Sequence, residues 1–178
     1  MILFGHLGIT LGATKLLNKM KINRDFTSLL DYRLVLVGSI LPDLIDKPVG
    51  RVIFKEAINN GRIYAHTTIF LLLILVFGMN LWRKYKKPEI LALALGVFFH
   101  DVLDSMWLYA DTFFWPFYGW NFPRSEQEKY FWMVIQKLLT DPYTYMPELI
   151  GFVIIMIVLI RLIVRNKVGD FWRTGKLD

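Results

Sequence analysis

The 178-residue chain contains no cysteine, and this absence narrows the chemistry open to it. Disulfides and thiolate metal sites are excluded, so any bound metal must be held by histidine, carboxylate or water. Histidine is scarce as well, with three in the whole chain. A transition-metal site would therefore have to draw on these few side chains.

Charge is also sparse: 20% of the residues are charged, 55% are hydrophobic, and the mean hydropathy is +0.42. This composition is too apolar for an ordinary soluble domain, and it predicts an integral membrane protein. The net charge of +6 then indicates basic loops beside anionic lipid, and we expect no nucleic-acid binding.

The chain lacks a basic stretch before its first apolar run, since its first cation is Lys15. A cleavable signal peptide begins with such a stretch, so we expect the first helix to be retained. Internal repeats and low-complexity tracts are absent from the sequence too. The length suits a single integral membrane domain over residues 1–178.

The apolar stretches predict an all-α polytopic bundle of about five membrane-embedded helices. Three stretches have nearly the length that a bilayer requires: residues 66–82, 89–109 and 148–164. Two shorter stretches, residues 2–20 and 34–45, are interrupted by small residues or proline. These two predict tilted, partly buried helices.

Small residues and capping residues refine this prediction. Gly5, Gly8 and Gly12 would let the first helix approach a neighbour closely. Ser125 and Glu128 form a capping-box pattern, which predicts an interfacial helix that ends near residue 139. The preceding residues 107–122 are rich in aromatic side chains, as is typical of the headgroup level of a bilayer.

The positive charges predict the orientation. With the N-terminus outside and five crossings, 14 of the 21 Lys and Arg residues fall on the cytoplasmic side. The cluster at residues 83–87 is the most decisive of them. We therefore expect an inner (plasma) membrane protein with its N-terminus out and its C-terminus in the cytoplasm.

Ionisable side chains in apolar segments are costly, so each is a candidate for function. In the predicted topology, six of them lie toward the same, outer side: His6, Asp43, Asp46, His66, His100 and Asp104. The last two are four residues apart and share a helix face, as do the two aspartates before His66 if they are helical. Imidazole and carboxylate without thiolate suit Zn²⁺, Mn²⁺ or Fe²⁺.

Other interpretations stay open for some of these residues. His6, taken alone, is more typical of a packing residue beside its glycines. Asp46 could cap a helix or pair with Lys47, and Asp101 could be a solvated neighbour of the site. His100 with Asp104 favours a metal, because the carboxylate would otherwise lie unpaired in an apolar helix.

A set of short motifs in the first two thirds of the chain resembles the YdjM-like inner-membrane family, to which metal-dependent hydrolase activity is attributed. The motifs are Gly5-His6, Leu41-Pro42-Asp43, Arg62 with His66-Thr67 after it, His100-x-x-x-Asp104 and Trp115-Pro116. In place of the family's usual His-Arg and Thr-His-Ser, this chain has Gly61-Arg62 and Ala65-His66-Thr67.

The order of these residues is also similar to the metal-binding half of the zinc-dependent phospholipase C and P1-nuclease group. That resemblance implies Asp43, His66, His100 and Asp104 as metal ligands, with His6 helping to hold a second ion near Asp104. No histidine follows His100. We therefore expect one or two divalent ions, with Zn²⁺ as the preferred metal, and not the group's full three-metal site.

Together these observations favour a metal-dependent hydrolase that cleaves a phosphoester of a lipid or lipid-linked substrate at the outer face. Asp43 or Asp46 would accept the proton of water, and Arg62 would donate hydrogen bonds to the phosphate. The aromatic residues 107–118 would guide acyl chains. A metal or proton transporter and a non-catalytic membrane adaptor are the alternatives.

Overall fold

The computed structural model describes residues 1–20, 30–124 and 130–177. Every regular element within these ranges is helical, as the composition predicts. The helices are α1 (Phe4–Lys19), α2 (Tyr32–Gly38), α3 (Leu41–Pro48), α4 (Thr68–Tyr85), α5 (Glu89–Leu103), α6 (Ala110–Phe113), α7 (Tyr130–Thr140), α8 (Pro142–Val164) and α9 (Val168–Thr174). A π-helical turn, Val49–Ile53, follows α3, and a 3₁₀ turn, Met106–Leu108, follows α5.

The first, third and last of the predicted apolar helices form close to their expected positions, as α1, α4 and α8. Helix α4 begins at Thr68, two residues later than predicted, because the Thr67 hydroxyl caps it by accepting from the Phe70 N–H at 3.1 Å. Helix α8 begins six residues earlier than predicted. There Asp141 serves as the N-cap, and Pro142 occupies the first turn.

The prediction of one helix over residues 34–45 is wrong, because the segment consists of the two helices α2 and α3. Pro42 has no N–H to donate to the Gly38 carbonyl, which favours a break in the helix at this point. Instead, proline occupies the first turn of α3, where it is tolerated. The break between the two helices leaves Ser39 at their junction.

Helix α5 ends at Leu103, whereas the apolar stretch predicted a helix to residue 109. Ser105 has a φ of 52° in the left-handed region, which ends the helix. The segment predicted to form an interfacial helix contains the helix α7, and its location at a membrane interface stays a prediction. Its predicted capping residues, Ser125 and Glu128, lie outside the described residues.

Two close helix crossings hold the bundle together, and each is lined by glycine. In the first, α1 packs on α8, and a Cβ on Gly8 would lie 2.0 Å from the Gly151 carbonyl oxygen. The predicted close approach of α1 is thus confirmed at Gly8, whereas a Cβ on Gly12 would meet its nearest neighbour at an ordinary 3.4 Å. The Gly8 crossing fixes the position of the start of α1.

In the second crossing α2 packs on α5. A Cβ on Gly96 would lie 2.2 Å from the Val35 carbonyl oxygen, and one on Gly38 would lie 2.1 Å from the Leu93 carbonyl oxygen. Backbones this close leave no room for a side chain at either glycine. Consequently the end of α5 lies against the junction between α2 and α3.

Two of the described helices, α4 and α8, are long and apolar enough to cross a membrane. Only 6% of the apolar window of α4 and 22% of that of α8 are buried, whereas the core helix of a soluble protein would be mostly buried. Both helices therefore present apolar side chains outward. The other described helices have fewer than 18 residues, so a bundle with five crossings stays a prediction.

The chain's C-terminal residues close the end of the bundle that lies away from the histidines. Leu11, Tyr32, Leu162 and Leu177 form one buried cluster. The Tyr32 N–H donates to the Gly175 carbonyl at 2.9 Å, and Arg33 donates to the Trp172 carbonyl. These contacts join the C-terminal residues 172–177 to α1, α2 and α8.

Candidate metal centre

Five predicted ligands from four parts of the chain lie together at one end of the bundle. His6 lies on α1, Asp43 on α3 and His66 just before α4. His100 lies in the last turn of α5, and Asp104 caps that helix. We call these five residues the His/Asp cluster; its three imidazoles are 0% exposed.

His100 is held by the break between α2 and α3. Its Nδ1 lies 2.8 Å from the Ser39 carbonyl oxygen. Since a carbonyl oxygen only accepts, Nδ1 carries the hydrogen. In a neutral imidazole the other nitrogen, Nε2, then keeps a free lone pair and faces the centre of the cluster.

His66 is held in the same way by a carboxylate. Its Nδ1 lies 2.7 Å from Asp46 Oδ2, so it donates there and leaves Nε2 as an acceptor. Asp46 is itself fixed, because it also accepts the backbone N–H groups of Ile63, Ala65 and His66 at 2.8 to 3.2 Å. A carboxylate behind a ligating histidine is typical of metal sites.

The two acceptor nitrogens point at one another. Nε2 of His66 and Nε2 of His100 are 3.1 Å apart. Burial lowers the pKa of His66, but Asp43 and Asp46 outweigh it and raise that pKa above its ordinary value. A protonated His66 donates from Nε2 to His100, whereas with both imidazoles neutral no hydrogen is available for a bond between them. Two nitrogens bound to one ion at about 2.0–2.1 Å would be about 2.9 Å apart at a right angle and about 3.4 Å apart at a tetrahedral angle. The observed separation fits a shared cation.

The carboxylates and His6 complete two possible ligand groups. Ligand atoms of His66, His100 and Asp104 lie within 4.8 Å of one another, and so do those of His6, Asp43 and His100. These groups could hold a metal ion, although nothing in the geometry identifies the metal. Because His100 belongs to both groups, they describe a single centre for one ion or two adjacent ions.

His6 supports the same interpretation. Its ring stacks on that of His100, with centroids 4.2 Å apart. Its Nε2 lies 3.2 Å from Asp104 Oδ1 but outside hydrogen-bonding geometry, and neither ring nitrogen has a hydrogen-bond partner among the described residues. A buried imidazole without a partner is costly unless something else binds it.

Arg62 lies beside the cluster. Its guanidinium donates to Asp104 Oδ2 from Nη2 at 2.8 Å and from Nε at 3.2 Å, and it lies 4.8 Å from the centroid of the Tyr109 ring. Burial disfavours the charged guanidinium, but the Asp104 carboxylate outweighs it and raises the pKa of Arg62 above its ordinary value. Arg62 is therefore a fixed cation at this end of the bundle.

A cavity of about 690 Å³ opens onto the cluster. Asp43 and Asp104 line it, whereas the three imidazoles lie behind them and do not. Both carboxylates are paired with a cation, since Lys47 Nζ lies 2.6 Å from Asp43 Oδ2 and Arg62 pairs with Asp104. Five cationic side chains line the cavity: Lys47, Arg51, Arg62, Arg124 and Lys137.

The structure decides two of the alternatives that the sequence left open. Asp46 does not pair with Lys47, which binds Asp43 instead. Asp101 is not solvated, because it is 2% exposed and its carboxylate oxygens have no hydrogen-bond partner among the described residues. The ligand and catalytic roles of the predicted site residues stay predictions.

Sequence reasoning missed Glu148 and most of the cavity cations. Glu148 accepts the backbone N–H groups of Ile2 and Leu3 at 2.6 and 3.1 Å, and so helps to position the start of α1. An acidic residue at the start of an apolar stretch was the available signal. Arg51, Arg124 and Lys137 gave no such signal, because isolated cations are common both in loops and on helix surfaces.

The comparisons with known proteins agree with this description at the level of the family. No curated protein matches the chain, and no solved structure does. The finer resemblance to the phospholipase C and P1-nuclease group thus has no support from them. A family model described as YdjM inner membrane protein matches residues 1–168. The chain belongs to the YdjM inner membrane protein family.

Proposed function

We propose that the protein is a membrane-embedded, metal-dependent hydrolase that cleaves a phosphoester of a lipid or lipid-linked substrate. The observation that carries this proposal is the pair of facing Nε2 atoms, 3.1 Å apart, behind two carboxylates that line a cationic cavity. The neighbouring cations suit a phosphate, and membrane residence suits a lipid headgroup.

The metal is proposed from the donor chemistry. Imidazole nitrogens and carboxylate oxygens without thiolate favour Zn²⁺, with Mn²⁺ or Fe²⁺ as alternatives. A bound divalent ion would act as a Lewis acid that polarises a phosphoryl oxygen and acidifies a water molecule. The order of ligands along the chain agrees with a phosphoesterase, although no comparison supports kinship with one.

Among the proposed catalytic residues, Asp43 is better placed than Asp46 to accept a proton. Asp43 lines the cavity, whereas both oxygens of Asp46 accept from the backbone and His66. Asp43 would take one proton as the water oxygen bonds to phosphorus, and the P–O ester bond would break. The same proton would then pass to the leaving oxygen.

Arg62 is proposed to bind the phosphoryl oxygens. Its guanidinium is already fixed by Asp104 and Tyr109, so little side-chain entropy is lost when it donates to a further acceptor. Exposed aromatic side chains, among them Trp107, Phe117 and Tyr118, would contact the acyl chains.

The proposal includes a membrane topology. Helices α1, α4 and α8 start at the end of the bundle that holds the cluster, and α5 ends there. With α2 and α3 acting as one broken crossing, five passes would alternate in direction. The positive charges then favour an outer N-terminus and a cytoplasmic C-terminus, which puts the cluster at the outer face.

A transport function is the second candidate, because polar groups continue along α1 behind His6. Thr10 and Thr14 follow at one-turn intervals, are fully buried, and have hydroxyls without a hydrogen-bond partner among the described residues. A line of buried polar groups is typical of an ion path. The ligands themselves, however, gather at one end, which favours hydrolysis.

The first experiment separates these functions. Protein purified from membranes is analysed for metal, then assayed with phospholipids and polyprenyl phosphates, with and without chelator. A hydrolase shows stoichiometric metal and chelator-sensitive release of phosphate or headgroup. Metal uptake into vesicles without turnover would indicate a transporter, and a folded protein without metal would indicate an adaptor.

A further inference from the structure

Four of the five cations that line the cavity fall into two groups. Lys47 and Arg62 are each engaged by a carboxylate of the cluster. Arg124 and Lys137 lie on the wall formed by Pro123, Arg124 and α7, and neither has an ion-pair partner within the described ranges. Among the described residues, the second pair therefore adds positive charge that no carboxylate neutralises.

The size of the cavity also exceeds what one phosphoryl group needs. About 690 Å³ falls in the range of pockets that enclose whole small-molecule ligands. Leu108 contributes apolar lining to the cavity, and so do Met133 and Val134, which share α7 with Lys137. The cavity thus has two regions. One lies at the His/Asp cluster, where Arg62 could bind a phosphoryl group, and the other is a second cationic region that includes apolar side chains.

The distribution of these cations along the chain also indicates an anion-binding cavity. In the proposed orientation, seven Lys and Arg residues face outward, against the usual bias of membrane proteins. Five of the seven line this one cavity: Lys47, Arg51, Arg62, Arg124 and Lys137. The membrane orientation does not explain cations on the outer side, whereas the binding of a polyanion would.

We infer that the cavity binds a diphosphate headgroup, with one phosphoryl group at Arg62 beside the cluster and the other between Arg124 and Lys137. The inference rests on the proposed function, because it names the substrate class of the same site. A diphosphate carries more charge than a monophosphate and offers a separate phosphoryl group to each cationic region. A phosphodiester carries a single negative charge and would leave the second region unmatched.

Binding without turnover tests this inference. Wild-type protein in zwitterionic nanodiscs is titrated with methylenediphosphonate, in which CH₂ replaces the bridging oxygen, with its farnesyl ester, and with inorganic phosphate. We expect the diphosphonates to bind about tenfold or more tighter than phosphate, since each additional charged contact is strong. Preference for the farnesyl ester would assign a lipid source, and equal binding a free anion.

The double variant R124Q/K137Q is the decisive arm, and K55Q is its control, because Lys55 is exposed and does not line the cavity. Diphosphonate affinity should fall about tenfold in the double variant, with phosphate affinity and metal content unchanged and K55Q like wild type. Diphosphonate binding that survives the double substitution, or phosphate binding of equal strength, would overturn the inference.

The result also separates this inference from the proposed function. Hydrolysis of lipid phosphates without any preference for diphosphonate would support the hydrolase and refute the diphosphate site. Tight diphosphonate binding that depends on Arg124 and Lys137, in a protein that hydrolyses no phosphoester, would support the site and refute the hydrolase.

Discussion

At the scale of single residues, each central imidazole is held by one nitrogen and presents the other. Asp46 fixes His66, and the Ser39 carbonyl fixes His100. The two supports differ in kind, because a carboxylate can be changed by substitution and a backbone carbonyl cannot. Asp46 is therefore the position at which the orientation of His66 can be tested without removing a proposed ligand.

Asp46→Asn should weaken metal binding about 10- to 100-fold, the usual cost of losing the support behind a ligating histidine. The amide has one oxygen for the donors that two carboxylate oxygens now accept. Metal affinity would be measured by competition with a chromogenic chelator. Asp141→Asn, at the N-cap of α8, is a matched control, because asparagine caps helices as well as aspartate does.

Arg62→Lys should leave the metal content unchanged and lower kcat/KM for a phosphoester substrate about tenfold or more. Lysine keeps the positive charge but loses the planar pair of donors that binds Asp104 and faces Tyr109. Steady-state kinetics with equal metal loading would show the loss. Kinetics equal to those of the wild type would remove Arg62 from the proposed phosphate site.

The sequence predicted the members of the cluster but not their supports. His6, His66, His100 and the aspartates were identifiable because ionisable groups in apolar segments are costly. The role of Ser39 depends on where one carbonyl points, which a helix break determines. The Lys47–Asp43 pair likewise depends on the register of a short helix. The Ser39 contact leaves no signal in composition or spacing, whereas the four-residue spacing of Asp43 and Lys47 suits an ion pair once the segment is known to be helical.

At the scale of helices, the site depends on close crossings between glycines. Gly96 lies one turn before His100, and α5 contacts α2 around Gly96 and Gly38. A wider separation between these helices would move the His100 ring away from the Ser39 carbonyl. The position of this ligand is thus set by backbone packing as well as by side-chain contacts.

Gly96→Ala should destabilise the protein by about 1–3 kcal/mol, the usual cost of overpacking, and should also reduce metal affinity. The added Cβ would lie 2.2 Å from the Val35 carbonyl oxygen. Thermal unfolding in detergent and chelator competition measure the two effects. Gly12→Ala is the matched control, since its Cβ meets nothing closer than 3.4 Å; equal behaviour of the two variants would contradict this account.

Helix positions were predictable where apolar runs were long, and helix ends were not. Helix α4 matches its run to within a few residues, while α8 begins earlier because Asp141 and Pro142 form a start signal. The left-handed Ser105 shortens α5. Local turn chemistry therefore decided the ends that hydropathy alone left open.

At the scale of the whole molecule, the central question is how the bundle lies in the membrane. Helices α4 and α8 expose apolar side chains along most of their lengths. At 1.5 Å per residue, the basic end of α4 lies about 27 Å from the start of the helix. The basic end is therefore far from the His/Asp cluster. We therefore propose that the His/Asp cluster and the basic residues at 83–87 lie on opposite sides of the membrane.

The absence of cysteine makes this topology directly testable. Tyr118→Cys should react with a membrane-impermeant maleimide in intact spheroplasts, because Tyr118 is exposed at the proposed outer face. Lys87→Cys should react only after the membrane is permeabilised. Protection of Tyr118→Cys together with labelling of Lys87→Cys in intact spheroplasts would reverse the proposed orientation.

The shared cation is the claim from which the rest follows, and metal content measures it most directly. Protein purified without chelator would be analysed by mass spectrometry for metals, beside His66→Ala, His100→Ala and the surface control Lys55→Gln. We expect about one or two divalent ions per folded chain in the wild type and the control, and their loss in both histidine variants. Folded wild-type protein without stoichiometric metal, or histidine variants that retain it, would contradict the account.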